Sequence, residues 1–262
     1  MKRLVVLGGG ESGVGAALLG KEKEYDVFLS DAGKIAQKYK NVLRHNEIEW
    51  EEERHTESNI FDADLVVKSP GIPDCAPLIQ KLYEATISVI SEIEFAALFT
   101  TSNIIGITGS NGKTTTTMMV HHILNQAGLD VAIGGNIGDS FAKQVLNNNA
   151  NYVLELSSFQ LDGIKKFRPH IAIITNITPD HLDRYDYKFE NYIASKFRVA
   201  MNQTSDDYLI YDADDDVIVS YINTHEIQST LVPFSLTKTV VNGAYLEQNN
   251  IIIEFNNRDI IM

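Results

Sequence analysis

The chain has 262 residues, a formal net charge of −13 and a pI near 4.9, with 44% hydrophobic and 22% charged residues. That composition is ordinary for a soluble globular protein, the length suits two domains, and the acidic balance argues against a nucleic-acid partner. The single cysteine, Cys75, excludes an internal disulfide. No run approaches the ~18–20 apolar residues that span a bilayer, and no signal-type apolar region follows Met1-Lys2-Arg3. A cytoplasmic chain without a membrane partner is therefore expected. Nothing in the pattern asks for an obligate oligomer, so a monomer is expected.

Leu4-Val5-Val6-Leu7 reads as a buried parallel strand, followed by the glycine turn 8–13 and a helical pattern over 14–20. Gly8, Gly10 and Gly13 satisfy G-x-G-x-x-G between strand and helix, which suits a phosphate or nucleotide ligand as well as a purely structural turn. A strand over 27–30 ends at Asp31, where an NAD-linked protein places the acid that meets the ribose. A third strand, 64–68, runs into Ser69-Pro70-Gly71-Ile72-Pro73, a stiff loop at the carboxyl end of the sheet. A helix over 76–85 and a strand over 87–90 complete a small doubly wound unit over 1–91. Residues 92–99 form a short amphipathic bridge into a second unit, 92–262.

That unit opens on Ile104-Ile105-Gly106-Ile107-Thr108-Gly109-Ser110-Asn111-Gly112-Lys113-Thr114-Thr115, a strand, a glycine loop and the start of a helix. Backbone N–H groups of such a loop cradle anionic oxygens at a helix N-terminus. Lys113 supplies a charge for the outer phosphates and Thr114 a hydroxyl for Mg²⁺. The longer G-x-x-x-x-G-K-[ST] pattern is not met, because Ile107 stands where its first glycine would be. An ATP site over 109–115 is the reading.

Strands are predicted at 131–133, 152–156 and 171–176, with a glycine loop at 134–138. Glu155 interrupts an apolar strand, and a buried carboxylate beside a nucleotide loop suits Mg²⁺ chelation with Thr114 nearby. His181 lies in the acid-rich loop after the strand 171–176, on the sheet edge that carries the ATP loop. Lys196 falls among the apolar positions of a helical pattern over 189–201, pointing inward or snorkelling. Asp212 to Asp216 reads as a solvated turn. Short strands are predicted at 208–211, 231–234, 244–246 and 251–255, with a hairpin signal at Asn249-Asn250 and another strand beginning at 260–262. The fold class is α/β: an N-terminal Rossmann-like parallel-sheet domain, then a P-loop-type ATPase domain with a small β extension.

Taken together, Gly-Gly-Gly-Glu-Ser-Gly at 8–13, Ser-Pro-Gly-Ile-Pro at 69–73, Ile-Thr-Gly-Ser-Asn-Gly-Lys-Thr at 107–114 and Gly-Gly-Asn-Ile-Gly at 134–138 resemble the Mur ligases of bacterial peptidoglycan synthesis. Leu-Glu-Leu-Ser-Ser-Phe-Gln-Leu at 154–161, Asp-His-Leu-Asp-Arg-Tyr at 180–185 and Tyr-Ile-Ala-Ser-Lys-Phe-Arg at 192–198 extend the resemblance over the whole chain. The 155–161 run is similar to that of the family branch that adds D-glutamate.

The resemblance implies an ATP- and Mg²⁺-dependent ligase that joins D-glutamate to UDP-N-acetylmuramoyl-L-alanine through an acyl phosphate. It implies that the first domain binds the uridine nucleotide, not NAD. Ser12, Gly13, Asp31, Ser69, Pro70 and Gly71 would hold the UDP part, and Asn136, Ser157 and His181 would face the rest of the substrate. Lys113, Glu155, His181 and Lys196 would be catalytic. Thr114, Glu155, His181 and a carbamylated Lys196 would hold magnesium. Family members also carry a third, C-terminal domain that binds D-glutamate, so this chain is expected to be a two-domain piece, weakly active or inactive alone. An NAD-linked oxidoreductase and a nucleotide-binding module without catalysis are the alternatives.

Overall fold

The computed structural model describes residues 1–255 and 258–261. The first sheet is built from β1 (Arg3–Leu7), α1 (Glu11–Glu22), β2 (Asp26–Ser30), α2 (Gln37–His45), β3 (Glu49–Glu51), α3 (Glu57–Ile60), β4 (Leu65–Lys68), α4 (Pro77–Glu84) and β5 (Val89–Ser91). Its order is β3-β2-β1-β4-β5 and every pairing is parallel, with Leu4 opposite Val27 on one side and Leu65 on the other. Parallel strands are covered on both faces, which is why Leu4 to Leu7 is apolar without alternation and fully buried. Chain order reverses between β1 and β4, so the turns that follow these two strands flank one crevice.

α5 (Glu92–Ala97) leads to the second sheet: β6 (Asn103–Thr108), α6 (Lys113–Gln126), β7 (Val131–Gly135), α7 (Phe141–Val145), β8 (Asn151–Glu155), α8 (Ser158–Asp162), β9 (Ile171–Ile174), α9 (Phe189–Phe197), β10 (Tyr208–Asp212), α10 (Asp216–Thr224), β11 (Thr230–Ser235), β12 (Gly243–Glu247), β13 (Asn250–Phe255) and β14 (Arg258–Ile261). The order is β14-β13-β12-β11-β10-β9-β6-β8-β7; pairings are parallel from β7 to β12, and the last two are antiparallel. The reversal here falls between β6 and β9, so the glycine loop after β6 faces the loop after β9. The antiparallel edge is the anticipated β extension. Its hairpin turn is Gln248-Asn249 rather than Asn249-Asn250, because Glu247 pairs with Asn250 and Gln248 takes the left-handed conformation, φ 55°. The strand expected at 260–262 begins at Arg258, and Met262 lies outside the described residues.

Several helices escape the sequence pattern. α2 buries only Leu43, so its apolar periodicity is faint. α10 is rich in β-branched residues. It becomes a helix because Asp215 accepts the N–H groups of Val217 and Ile218 and because Tyr221 stacks on Phe197 at 3.9 Å. The acidic turn before it is thus also a helix cap.

α5 corrects the expected amphipathic bridge: Glu92 to Ala96 are all buried. The helix is wedged between the two layers, and one apolar cluster runs from Leu4 and Val6 through Ile93 and Phe95 to Tyr152 and Leu154. Two carboxylates lie inside this joint. Glu94 accepts the backbone N–H groups of Lys165, Lys166 and Phe167 at 2.8–2.9 Å. Glu92 accepts the N–H of Ala142 through Oε1, while Oε2 has no partner among the described residues.

Burial pushes the Glu92 carboxyl up to about 8, against the pull of the Ala142 N–H and with a further push from Glu11. The folded state therefore holds a proton that the unfolded chain releases above the ordinary value of 4.5. That contribution is complete below the unfolded value and is lost as pH rises through the folded one. Glu92→Gln keeps the acceptor and cannot ionise. It should melt several degrees above the wild type at pH 8, with the gap closing towards pH 5; melting curves parallel in pH would contradict this.

Candidate active site

The second sheet's crevice is lined by the loop Gly109–Gly112. Gly109 has φ 143°, and a Cβ there would meet Thr175 Oγ1 at 1.9 Å. Gly112 is left-handed at φ 79° and opens α6 without a side-chain cap. The first-turn N–H groups of α6 therefore face open space with the positive end of the helix dipole behind them, which is the condition for an anion site. The post-β9 loop braces this cradle. Asn176 Oδ1 accepts the Asn111 N–H at 2.9 Å, and both Asn176 Nδ2 and Thr175 Oγ1 donate to the Asn111 carbonyl. Ser110 Oγ donates to the Thr178 carbonyl, accepts the Thr178 N–H, and lies 3.2 Å from the Tyr192 hydroxyl.

Two amines converge on this loop. Lys113 Nζ donates to the carbonyls of Gly109 and Ser110, both at 2.9 Å. Lys196 Nζ donates to the same Gly109 carbonyl at 2.7 Å. Lys196 is 1% exposed, so it points inward and does not snorkel. Its ammonium lies 4.5 Å from the centre of the Tyr192 ring. Burial, and then the charge of Lys113, pull its pKa down to about 7. A substantial neutral fraction follows at neutral pH.

Glu155 closes β8 opposite Ile107 and is 2% exposed, which rules out an exposed strand end. Oε2 accepts the Thr114 hydroxyl at 2.6 Å and Oε1 accepts the Asn136 amide at 2.8 Å. Thr114 and Glu155 thus form an oxygen-donor pair at the mouth of the anion cradle, a chemistry that suits Mg²⁺. Neither His181 nor Lys196 contacts this pair. His181 is left-handed at φ 49°, pairs with Asp180 at 3.5 Å, and packs on Phe159 at 5.2 Å between ring centres. Among the described residues, no group of three His, Cys, Asp or Glu stands ready to hold a metal. Ser157 is engaged in capping α8, where it and Gln160 form a reciprocal box.

In the first sheet's crevice a cleft of about 550 Å³ is walled by Gly8, Gly10, Asp31, His55, Ser69 and Gly71. Asp31 also holds the turn, accepting the N–H groups of Gly9 and Gly33. Ser12, Gly13 and Pro70 stand outside the lining. A Cβ on Gly13 would meet the Gly8 carbonyl at 1.8 Å, so this position serves close helix–strand packing. Lys68, nearly buried, donates to the Ile72 carbonyl and pairs with Asp74, fixing the 69–73 loop from beneath.

Arg184, quoted in the motif but given no role there, lies with its guanidinium 4.4 Å from the centre of the Phe159 ring and contacts the Pro70 and Gly71 carbonyls at 3.4 Å. It is the link from the His181 loop to the wall of the first cleft. Nothing in the sequence pattern marks Asn176 or His55.

With this geometry in view, the comparisons are specific. Residues 107–260 match the Mur ligase middle domain and residues 3–76 match the MurD N-terminal domain. The chain belongs to the Mur ligase family. It is similar to the UDP-N-acetylmuramoylalanine--D-glutamate ligase of Christiangramia forsetii, with 62% identity over all of this chain and 59% of that protein. It is also similar to the enzyme of the same name from Bacteroides fragilis, with 54% identity over 97% of this chain and 57% of that protein. The chain therefore spans under two-thirds of the length of these curated relatives. Among solved structures, a UDP-N-acetylmuramate:L-alanyl-gamma-D-glutamyl-meso-diaminopimelate ligase from a Neisseria shares the fold at TM-score 0.67 and 16% identity, over 99% of this chain and 86% of that one. The UDP-N-acetylmuramate-alanine ligase of Thermotoga maritima shares it at TM-score 0.58 and 21% identity, over 100% of this chain and 60% of that one.

The cradle makes a direct demand on Gly109. Gly109→Ala combines a disfavoured φ with a clash against the β9 loop. It should lower unfolding free energy by roughly 2–4 kcal/mol, read from denaturant midpoints. A variant as stable as the wild type would contradict the geometry.

Proposed function

We propose that this chain is the substrate- and nucleotide-binding part of an ATP-dependent amide ligase that joins D-glutamate to UDP-N-acetylmuramoyl-L-alanine. What carries the reading is the anion cradle at α6, with Lys113 and Lys196 on its floor and the Thr114–Glu155 pair at its mouth, in a chain closely similar to ligases of that name. Residues 1–91 form the uridine-binding domain, with the 550 Å³ cleft as its site, and residues 92–262 form the ATP-binding domain.

ATP places its phosphates on the first-turn N–H groups of α6. Lys113 exchanges loop carbonyls for phosphate oxygens, a charge-assisted bond in place of a neutral one. Thr114 and Glu155 would hold Mg²⁺, which would supply charge neutralisation to the transferring phosphoryl group. The γ-phosphoryl group passes to the L-alanyl carboxylate to give an acyl phosphate. The amine of D-glutamate then attacks the acyl carbon, and phosphate leaves. Phosphoryl transfer demands in-line positioning, attack on the acyl carbon demands approach to the carbonyl face, and both demand cationic neutralisation of oxygens, which the braced loop and Lys113 would provide.

Lys196 enters as its neutral amine, adding to CO₂ with loss of a proton to give a carbamate. The buried cation would become an anion whose oxygens could serve a metal, with the His181 ring as a nitrogen donor. Its lowered pKa supports this, since an amine must be deprotonated to attack.

Calorimetric titration with UDP-N-acetylmuramoyl-L-alanine should give saturable binding, and a parallel titration with NADH should give none. Binding of NADH alone would overturn the reading. Lys113→Ala should weaken binding of Mg²⁺-ATP at least tenfold while sparing the uridine ligand. Loss of both together would mean that the sites are assigned to the wrong halves of the chain.

A further inference from the structure

The uridine cleft has a wall whose hydrogen-bonding polarity can be worked out from its supports. His55, in the turn between β3 and α3, lines the cleft, and its Nδ1 lies 2.7 Å from Ser30 Oγ. Ser30 ends β2, is fully buried, and lies 2.8 Å from Oε1 of Glu51 on the neighbouring strand. Glu51 also accepts the backbone N–H and hydroxyl of Thr56 and the Nε–H of Arg54. Burial works to raise its pKa, but the hydrogen bonds from Thr56, Ser30 and Arg54 prevail and hold it below the ordinary glutamate value. The group is a carboxylate and can only accept.

A hydroxyl has one hydrogen. Among the described residues the Arg54 carbonyl is the only other acceptor on Ser30 besides the ring, and at 3.4 Å it is a far longer contact than Glu51. The hydrogen of Ser30 therefore goes to Glu51, and its oxygen receives one from His55. In the neutral imidazole that places the hydrogen on Nδ1 and leaves Nε2 as an acceptor, with no partner among the described residues.

We propose that Nε2 of His55 accepts a hydrogen bond from the nucleoside of the bound uridine nucleotide, and so selects ligands that present an N–H or O–H donor there. Three groups on uridine have that chemistry, the N3–H imide of uracil and the ribose 2′- and 3′-hydroxyls. Cytosine presents a lone pair at N3, so the imide arm also confers discrimination against cytidine nucleotides. The inference rests on reading the cleft as a nucleotide site. Ser30 and Glu51 act through His55 as positioning residues, fixing its tautomer.

The test is calorimetric titration of this chain, wild type and His55→Phe, with UDP, N3-methyl-UDP, 2′-deoxy-UDP, 3′-deoxy-UDP and CDP. His55→Gln, which keeps an acceptor oxygen, serves as the conservative control, and thermal melts establish that each variant is folded. The wild type should lose roughly tenfold in affinity for the analogue that lacks the donor, the equivalent of one net hydrogen bond. His55→Phe should bind UDP as weakly as that analogue and show no further loss with it, while His55→Gln recovers most of the affinity. If N3-methyl-UDP and CDP are the weak ligands, the donor is the imide; if 2′-deoxy-UDP or 3′-deoxy-UDP is, the donor is that ribose hydroxyl. Undiminished UDP binding by folded His55→Phe, or equal losses for all analogues in both proteins, would overturn the inference alone. Failure of the wild type to bind UDP would overturn the reading of the cleft itself, and the inference with it.

Discussion

The Gly109 carbonyl oxygen, shared by the buried Lys196 and by Lys113, is the contact on which the second half of the molecule depends. Two ammonium groups on one neutral oxygen repel, and burial together with the charge of Lys113 pulls the pKa of Lys196 down. The arrangement needs Gly109 in a conformation and a space that no side chain tolerates, and it needs α9 close enough to deliver Lys196 beneath the loop. The cradle, the buried lysine and the brace from Thr175 and Asn176 are one unit, because each removes freedom from the same four residues of backbone.

The joint between the two sheets follows a similar logic with the opposite charge. Backbone N–H groups left over where α7 begins and after α8 would be costly if buried unpaired. Glu92 and Glu94 satisfy them from a helix that is otherwise apolar. Above the joint, Arg184 reaches the 69–73 loop from the His181 loop. The cleft of the first sheet and the anion cradle of the second are thereby held in one framework.

Much of this was legible beforehand. The all-apolar runs 4–7, 104–107 and 171–174 announced buried parallel strands, and the glycine turns after them announced crevices at their carboxyl ends. The Gly-Lys-Thr loop and Glu155 in its strand were readable because each breaks a local pattern, charge or glycine where periodicity asks for bulk, whereas Lys196 was left open between inward and snorkelling until its burial decided it. What escaped detection broke no pattern. His55, Asn176 and Arg184 are ordinary polar residues in turns, and their importance comes from partners 25, 65 and 113 residues away in the chain. α10 was missed because β-branched residues argue for a strand, and its helical form depends on the Asp215 cap and on the aromatic surface offered by α9.

By itself, then, the sequence determined the alternation of strands and helices, the two phosphate-type loops and the residue types available to them, since these depend on period, backbone permissiveness and the cost of burying charge. Tertiary structure alone decided which side chains share an atom. That Lys113 and Lys196 meet at one carbonyl, that Glu155 engages Thr114 while His181 stands apart, and that Ser30 dictates the tautomer of His55 are consequences of strand order and register. Hydrogen bonds act over about 3 Å, and only the folded sheets bring residues so distant in sequence within that range.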